Sequence, residues 1–376
     1  MSPAARNQLK VGGQAVMEGV MMRSPNCLAV ALRRASGEIV LREAPWRPLL
    51  KGWRWLRWPF LRGSLVLIES LANGVSALNF SARVAMADLE AEERRKQGEA
   101  GAAAPSLESL AEEKESSRLV VWATMALALG LGIGLFIALP HLAVWGGSLL
   151  AGRELGVEDV SFHAIVGVVK MLVFVGYIGL ISLMPDVRRV FQYHGAEHQS
   201  IHTFEAGEAL TVEHARRHSP LHPRCGTTFL LLVIALSILV FSLVFPALVW
   251  LVGQPTGIGI LDQLIFIAIK LPLLLPIAGL AYELQRLTSR SLGRLWARAL
   301  AWPGMFIQRL TTRPPDDRQL EVALASLRQT LWREARADRA EPGAAGASTI
   351  RVFPDFGAVV QALDEPAPGA GPACGA

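Results

Sequence analysis

The chain has 376 residues, of which 52% are hydrophobic and only 18% charged, against roughly 25% charged in an ordinary soluble domain. With a mean hydropathy of +0.35 and its apolar residues gathered into bilayer-length runs, an evenly patterned soluble domain is excluded. The formal net charge is +5, but Arg and Lys set between apolar runs report topology and contact with anionic lipid, so no nucleic-acid partner is expected. Cys27, Cys225 and Cys374 form no CxxC pair and no disulfide framework. The first residues contain no apolar core of the kind a cleaved signal peptide needs.

Residues 1–45 read as a cytosolic, β-rich N-terminal unit. An apolar run from Val11 to Met22 ends at Ser24-Pro25-Asn26, and two β-prone runs, Cys27–Leu32 and Glu38–Leu41, flank Ser36-Gly37 as a hairpin. Residues 46–62 interleave tryptophan with Arg and Lys, which suits a headgroup layer. The apolar stretch 64–84 is interrupted by Glu69, Asn73 and Ser76 at helical spacing. Lipid would not tolerate that face, so 46–87 is expected to be an interfacial or re-entrant helical segment packed on protein. Residues 88–118 read as a charged linker, partly disordered or helical.

Four transmembrane helices are predicted, at Leu119–Trp145, Phe162–Pro185, Thr228–Val252 and Ile258–Tyr282. Each exceeds the ~20 residues that cross a bilayer. The loop 146–161 carries only Arg153 and 253–257 has no base, whereas 186–227 carries Arg188, Arg189, Arg216, Arg217 and Arg224. More arginines follow the last span. By the positive-inside rule, both termini and the 186–227 loop are cytoplasmic, as in a multi-pass protein of the cell (inner) membrane. Intramembrane Lys170, Asp262 and Lys270 keep transport open. After 228–283, the segment 284–339 reads as basic and amphipathic cytosolic helices, with Asp316 or Asp317 capping an apolar stripe through Leu320, Leu324, Leu327 and Leu331. The tail 340–376, rich in Ala, Gly and Pro, is expected to be disordered.

The chemistry gathers in 186–227, which holds six of the eight histidines. Tyr193-His194-Gly195-Ala196-Glu197-His198 places two imidazoles four residues apart, on one face if helical, with Glu197 beside them as a general base. A catalytic zinc needs a third protein ligand and an open position. Glu205, Glu213, His222 and Cys225 are the nearby candidates, and Arg224 could stabilise an oxyanion. The remaining histidines, His202, His214 and His218, could extend the site, but a solvated basic loop explains them more economically. Glu283, at the cytoplasmic end of the last span, faces the same side and could complete the site. Glu18 and Arg23 are charges in an otherwise apolar run, either approaching the histidines or pairing to hold the N-terminal unit together.

Three phrases, Gly12 through Arg23, Tyr193 through His198 and His222-Pro223-Arg224-Cys225-Gly226-Thr227, resemble the DUF1385 family, the YqhQ-like proteins. Leu61-Arg62-Gly63, Leu78-Asn79-Phe80-Ser81-Ala82 and Glu321-Val322-Ala323 fit the same pattern over about residues 10–335. The resemblance implies a bacterial membrane protein described as a predicted metal-dependent enzyme. It also implies importance for Glu18, Arg23, His194, Glu197, His198, His222, Arg224 and Cys225. The expectation is therefore a membrane-embedded enzyme that depends on a divalent metal, zinc foremost, and acts as a hydrolase on a peptide, protein or lipid at the cytoplasmic face. The alternative is a non-enzymatic membrane assembly or docking factor with a structural metal or none.

Overall fold

The computed structural model describes residues 9–46, 58–97, 116–152, 155, 159–253, 256, 258–337 and 348–364. The N-terminal unit is an antiparallel sheet of β1 (Gly12–Val16), β2 (Gly19–Arg23), β3 (Cys27–Arg33) and β4 (Ile39–Pro45), with neighbours paired in sequence order. The turn joining β1 to β2 needs a left-handed residue, which Glu18 supplies at φ 55°. Gly37, at φ 95°, turns β3 into β4 as the Ser36-Gly37 signal implies.

Both faces of this sheet are covered, so its strands read as continuous apolar runs. Val20, Met22, Ala31 and Leu41 face a helical layer that includes Tyr193, Leu320, Leu324 and Leu327. The alternate residues Val16, Met21, Val30, Leu32 and Val40 pack on Ala77, Phe80 and Val84. Each buried Val, Leu, Met or Phe among them contributes about 1.5–3 kcal/mol.

The helices follow as α1 (Pro59–Lys96), α2 (Ser116–Ile133), a π-helical turn at Gly134–Ala138, α3 (Leu139–Leu150), α4 (Val160–Ile181), α5 (Pro185–Glu205) and α6 (Val212–Arg217). Then come α7 (Gly226–Val252), α8 (Gly259–Arg290), α9 (Leu295–Thr311) and α10 (Asp317–Ala337). Strand β5 (Thr349–Phe353) and α11 (Phe356–Asp364) complete the described chain. Five helical stretches are long and apolar enough to cross a membrane: Arg62–Lys96, Trp122–Leu150, Val160–Ile181, Gly226–Leu251 and Ile260–Arg290.

Several expectations are corrected. Residues 64–84 lie inside one 38-residue helix, which runs on past the expected boundary at 87 to Lys96. Glu69 and Asn73 are buried as expected, but Ser76 is exposed, because Ala77, Phe80 and Val84 continue the stripe that packs on protein. The proposed linker begins as the end of α1, where Asp88 pairs with Arg34 at 2.5 Å; residues 98–115 lie outside the described residues, as do 47–57 of the Trp/Arg segment.

The 186–227 stretch is largely helical rather than a loop. Ser182–Met184 end α4, and Pro185, with its fixed φ, opens α5 at the position a helix best tolerates proline. The tail is also not featureless: Thr349, Ile350 and Val352 form β5, which pairs with β4 so that Glu43 faces Thr349 and Ile39 faces Phe353. Those β-formers are hidden from a composition reading by the Ala, Gly and Pro around them. Residues 338–347 and 365–376, Cys374 included, lie outside the described residues.

The amphipathic helix α10 is capped as its sequence suggests. The Asp316 carboxylate accepts from the Gln319 N–H at 2.8 Å, and the Gln319 side chain accepts from the Asp316 N–H at 2.9 Å, a reciprocal capping box. Among the apolar helices, Phe162, Phe241, Phe245 and Phe266 form one core. Lys270 lies in it, 4.8 Å from the Phe245 ring centroid and 3.1 Å from His141 Nδ1. Asp262 accepts from the Thr256 N–H and hydroxyl, which pins the chain just ahead of α8 to its first turn.

Candidate metal centre

Helix α5 carries His194, His198 and His202 at i, i+4 and i+8, so the three rings follow one stripe. Its other side, with Tyr193, Ala196, Ile201 and Phe204, packs into the sheet and α10. The extended segment 218–225 lies across the histidine stripe and presents backbone carbonyls to it. Pro220 O accepts from His198 Nδ1 at 2.5 Å, Leu221 O from His202 Nε2 at 3.0 Å, and His218 O from the Gln199 amide at 2.7 Å. His194 Nδ1 donates to Thr311 O at 2.9 Å, a last-turn carbonyl of α9 that has no helical partner.

A carbonyl only accepts, so each of these contacts fixes a proton on the nitrogen that makes it. His194 and His198 each keep a proton on Nδ1 and turn Nε2, the nitrogen a metal would take, toward Cys225. Metal-ligating histidines are oriented in this way by a carbonyl or carboxylate on the far nitrogen. Cys225, the residue before α7, brings its Sγ to 3.2 Å from His194 Nε2. The ligand atoms of His194, His198 and Cys225 all lie within 4.8 Å of one another.

The segment bearing Cys225 is held from two sides. Gln308, fully buried in α9, accepts from the His222 N–H at 2.9 Å, donates to the His222 carbonyl at 2.8 Å and contacts the Thr228 hydroxyl at 2.7 Å. Gln285 of α8 donates to Cys225 O at 2.9 Å.

Electrostatics favour a charged pair at this point. Burial pushes the Cys225 thiol up, but the His194 imidazole beside it outweighs burial and holds the thiol well below its ordinary range. Burial likewise opposes the charged form of His194, and the Cys225 sulfur, with Glu197 and the Thr311 carbonyl, raises it to about 9. Thiolate is the form that binds metal. Glu197, also buried, has its carboxyl pushed up by burial, with His198 and His194 pulling the other way. It lies against β1: a Cβ on Gly13 would sit 2.7 Å from Glu197 Cγ and 2.8 Å from its Oε1. Glycine at 13 is therefore required for the sheet to approach α5 this closely.

The remaining expected residues divide. His222 does not join the first trio but a second one, with His202 and Glu205; its ring is 4.6 Å from His202 and 5.5 Å from His198. Burial lowers both His202 and His222 to about 4, so both imidazoles are neutral at pH 7. Glu205 accepts an ion pair from Arg224 and lies 3.4 Å from His222 Nε2.

Glu18 faces the same helix one turn earlier, ion-paired to Arg189 and 3.3 Å from the Tyr193 hydroxyl, rather than at the histidines. Arg23 lies 5.7 Å from the Trp46 ring and is coupled to Glu69, so it does not pair with Glu18. Glu283 bonds Arg62 at 2.6 Å and Arg286 at 3.7 Å, tying α1 to α8. Glu213 is exposed, and His214 and His218 engage Thr211 and Glu208. Sequence reasoning gave His202 little weight, although its i+8 spacing from His194 was the available signal. Gln308 and the Thr311 carbonyl belong to a distant helix and leave no local signal.

The fold and site define a largely helical protein in which a small covered sheet and a His–His–Cys cluster sit at the ends of long apolar helices. The chain belongs to the DUF1385 family: residues 58–333 match the model described as "Protein of unknown function (DUF1385)". It is 32% identical over 330 residues to the "Uncharacterized protein YqhQ" of Bacillus subtilis (strain 168), covering 87% of this chain and 94% of that one. No solved structure matches.

Replacing Gln308 with leucine leaves the buried His222 N–H without its partner and takes one of two donors from the His222 carbonyl, which keeps the Cys225 N–H. A buried group left unpaired costs about 1–3 kcal/mol. Gln308→Leu is expected to lower the unfolding midpoint clearly, whereas Arg217→Gln on the exposed end of α6 leaves it unchanged; equal midpoints for the two would contradict the clamp.

Proposed function

We propose that this is a polytopic membrane protein in which four apolar helical stretches cross the bilayer and α1 lies along the interface. The observation supporting this is that α1 is tied at both ends to the same side. Its first turn bonds the end of α8 through Arg62–Glu283, while Ser81 donates to Met17 O and Asp88 pairs with Arg34 of the sheet unit. A helix that crossed would put ~27 Å between residues 62 and 80 along the membrane normal, and the residues joining β4 to α1 would have to cross as well. With α1 at the interface, the sheet, α5, α10 and the arginine-rich segments share one face, which the positive-inside rule makes cytoplasmic. Single cysteines at exposed Leu71 and at Leu150, in a background without native cysteines, test this. A membrane-impermeant maleimide applied to intact cells should label Leu150→Cys only, and Leu71→Cys only after lysis. Labelling of Leu71→Cys in intact cells contradicts the topology.

On that cytoplasmic face, the function the geometry supports best is a metal-dependent enzyme, a hydrolase, with His194, His198 and Cys225 as ligands. The carrying observation is the pair of Nδ1–carbonyl bonds that leave two Nε2 atoms facing one sulfur. These residues fit a borderline-soft ion such as zinc, which takes nitrogen and thiolate ligands and keeps a fourth position open when catalytic. Bound there, the ion would supply Lewis acidity that brings a water toward deprotonation near pH 7. Glu197, its carboxyl raised by burial and next to His198 in the chain, is the group that would take and return the proton as general base. Arg224, partly exposed beside the second trio, is positioned to bind an anionic group of a substrate rather than to bind metal. His222, next in the row of rings, is the candidate fourth ligand that would turn the site into a closed, structural one.

Elemental analysis of purified protein tests the reading. About one zinc per chain, lost in His194→Ala and His198→Ala and kept in His214→Ala, is expected. No metal after reconstitution with each divalent ion would overturn it and favour the docking-factor alternative.

A further inference from the structure

A cleft of ≈ 860 Å³ opens beside the second histidine trio. Its size falls in the range of about 300–1,000 Å³ typical of small-molecule sites. Lys10, Arg224, Arg286 and Arg290 line it against a single acid, Glu205. That acid is already ion-paired to Arg224. Outside the cleft, Glu283 serves both Arg62 and Arg286. Lys10 and Arg290 are exposed into it. After desolvation, the charges that act most strongly on Lys10 are other cations, Arg286, Arg290, Arg224 and Arg62, and all push it down from its ordinary value. The cleft thus holds an uncompensated positive field in a concave wall, where low-dielectric surroundings focus it on an incoming anion.

We propose that this cleft binds the phosphate group of an anionic molecule. Arginine forks match phosphate oxygens bidentately, and lysine adds a point charge. The remaining walls include Phe204, Tyr282 and Leu292, which suit the apolar part of an amphiphile. The cleft sits where α8 leaves its apolar stretch, at the level expected for a lipid headgroup. The bound phosphate would lie over His202, His222 and Arg224, with His222 leading to His198 and the first trio. The proposal stands on the charge of the cleft and does not require a metal.

Calorimetric titration of the full-length protein in phosphatidylcholine nanodiscs with EDTA present tests it. Pyrophosphate and dihexanoyl phosphatidic acid serve as separate ligands. Lys10→Gln combined with Arg290→Gln is compared with Arg217→Gln combined with Arg294→Gln, which removes the same charge from exposed positions outside the cleft. Unfolding midpoints near that of the wild type establish that both variants are folded. Saturable binding that weakens tenfold or more in the cleft variant and hardly at all in the other is expected. If pyrophosphate alone behaves so, the ligand is a soluble phosphate; if the phosphatidic acid alone does, it is a lipid headgroup. Equal loss in the two variants, or no saturable binding of either ligand, overturns the proposal. Because metal is chelated throughout, failure here leaves the zinc measurement untouched, and failure of the zinc measurement leaves this one untouched.

Discussion

The arrangement depends on the way one extended strip of chain, residues 218–225, lies across one face of α5. The strip carries carbonyls that have no partner of their own, and the helix carries imidazole N–H groups that would be costly to bury unpaired. Each satisfies the other: Pro220 with His198 and Leu221 with His202, while Thr311 at the end of α9 takes His194. These bonds hold the strip, fix a proton on each Nδ1 and point the Nε2 atoms of His194 and His198 at Cys225. A single set of contacts thus supplies both local stability and the preorganisation a metal site needs.

Everything that holds the strip is itself held by packing. Gln308 grips His222 from α9, and α9 in turn approaches α7 closely enough that a Cβ on Gly304 would meet the Thr228 side chain at 2.4 Å. On the other side of α5, the sheet comes near enough for Gly13 to face Glu197, and α10 fills the space between with Leu320, Leu324 and Leu327. Strand β5, arriving from the far end of the sequence, extends the sheet beyond β4, where Glu43 gathers Gln329, Arg333 and Thr349. The N-terminal sheet, the histidine helix and the C-terminal helices are therefore one body, which rests on the ends of the apolar helices.

Much of this was legible in the residues, and the failures have physical causes. The long apolar runs and the Ser36-Gly37 hairpin depend on local pattern, so periodicity and turn chemistry found them. The four-residue spacing of His194 and His198 predicted a shared face, and Cys225 was among the third ligands considered. Which of His222, Glu205 and Cys225 would complete the trio could not be read, because the choice rests on where a non-helical strip crosses α5. The Asn73 and Glu69 face of α1 signalled protein contact correctly, but Ser76 did not follow it, since the sheet takes over that stripe from Ala77 onward. β5 escaped notice because five β-prone residues carry little weight inside a tail of Ala, Gly and Pro. Glu18 was expected near the histidines as one alternative; a left-handed turn aims it instead at Arg189 and Tyr193.

The central claim is that two histidine Nε2 atoms and the Cys225 sulfur converge on one ion, and the direct measurement is X-ray absorption at the zinc edge of the purified, zinc-loaded protein. The account predicts a single sulfur scatterer at about 2.3 Å with nitrogen and oxygen scatterers at about 2.0–2.1 Å, and loss of the sulfur shell in Cys225→Ser. A first shell without sulfur in the wild type, or one unchanged in Cys225→Ser, would contradict it.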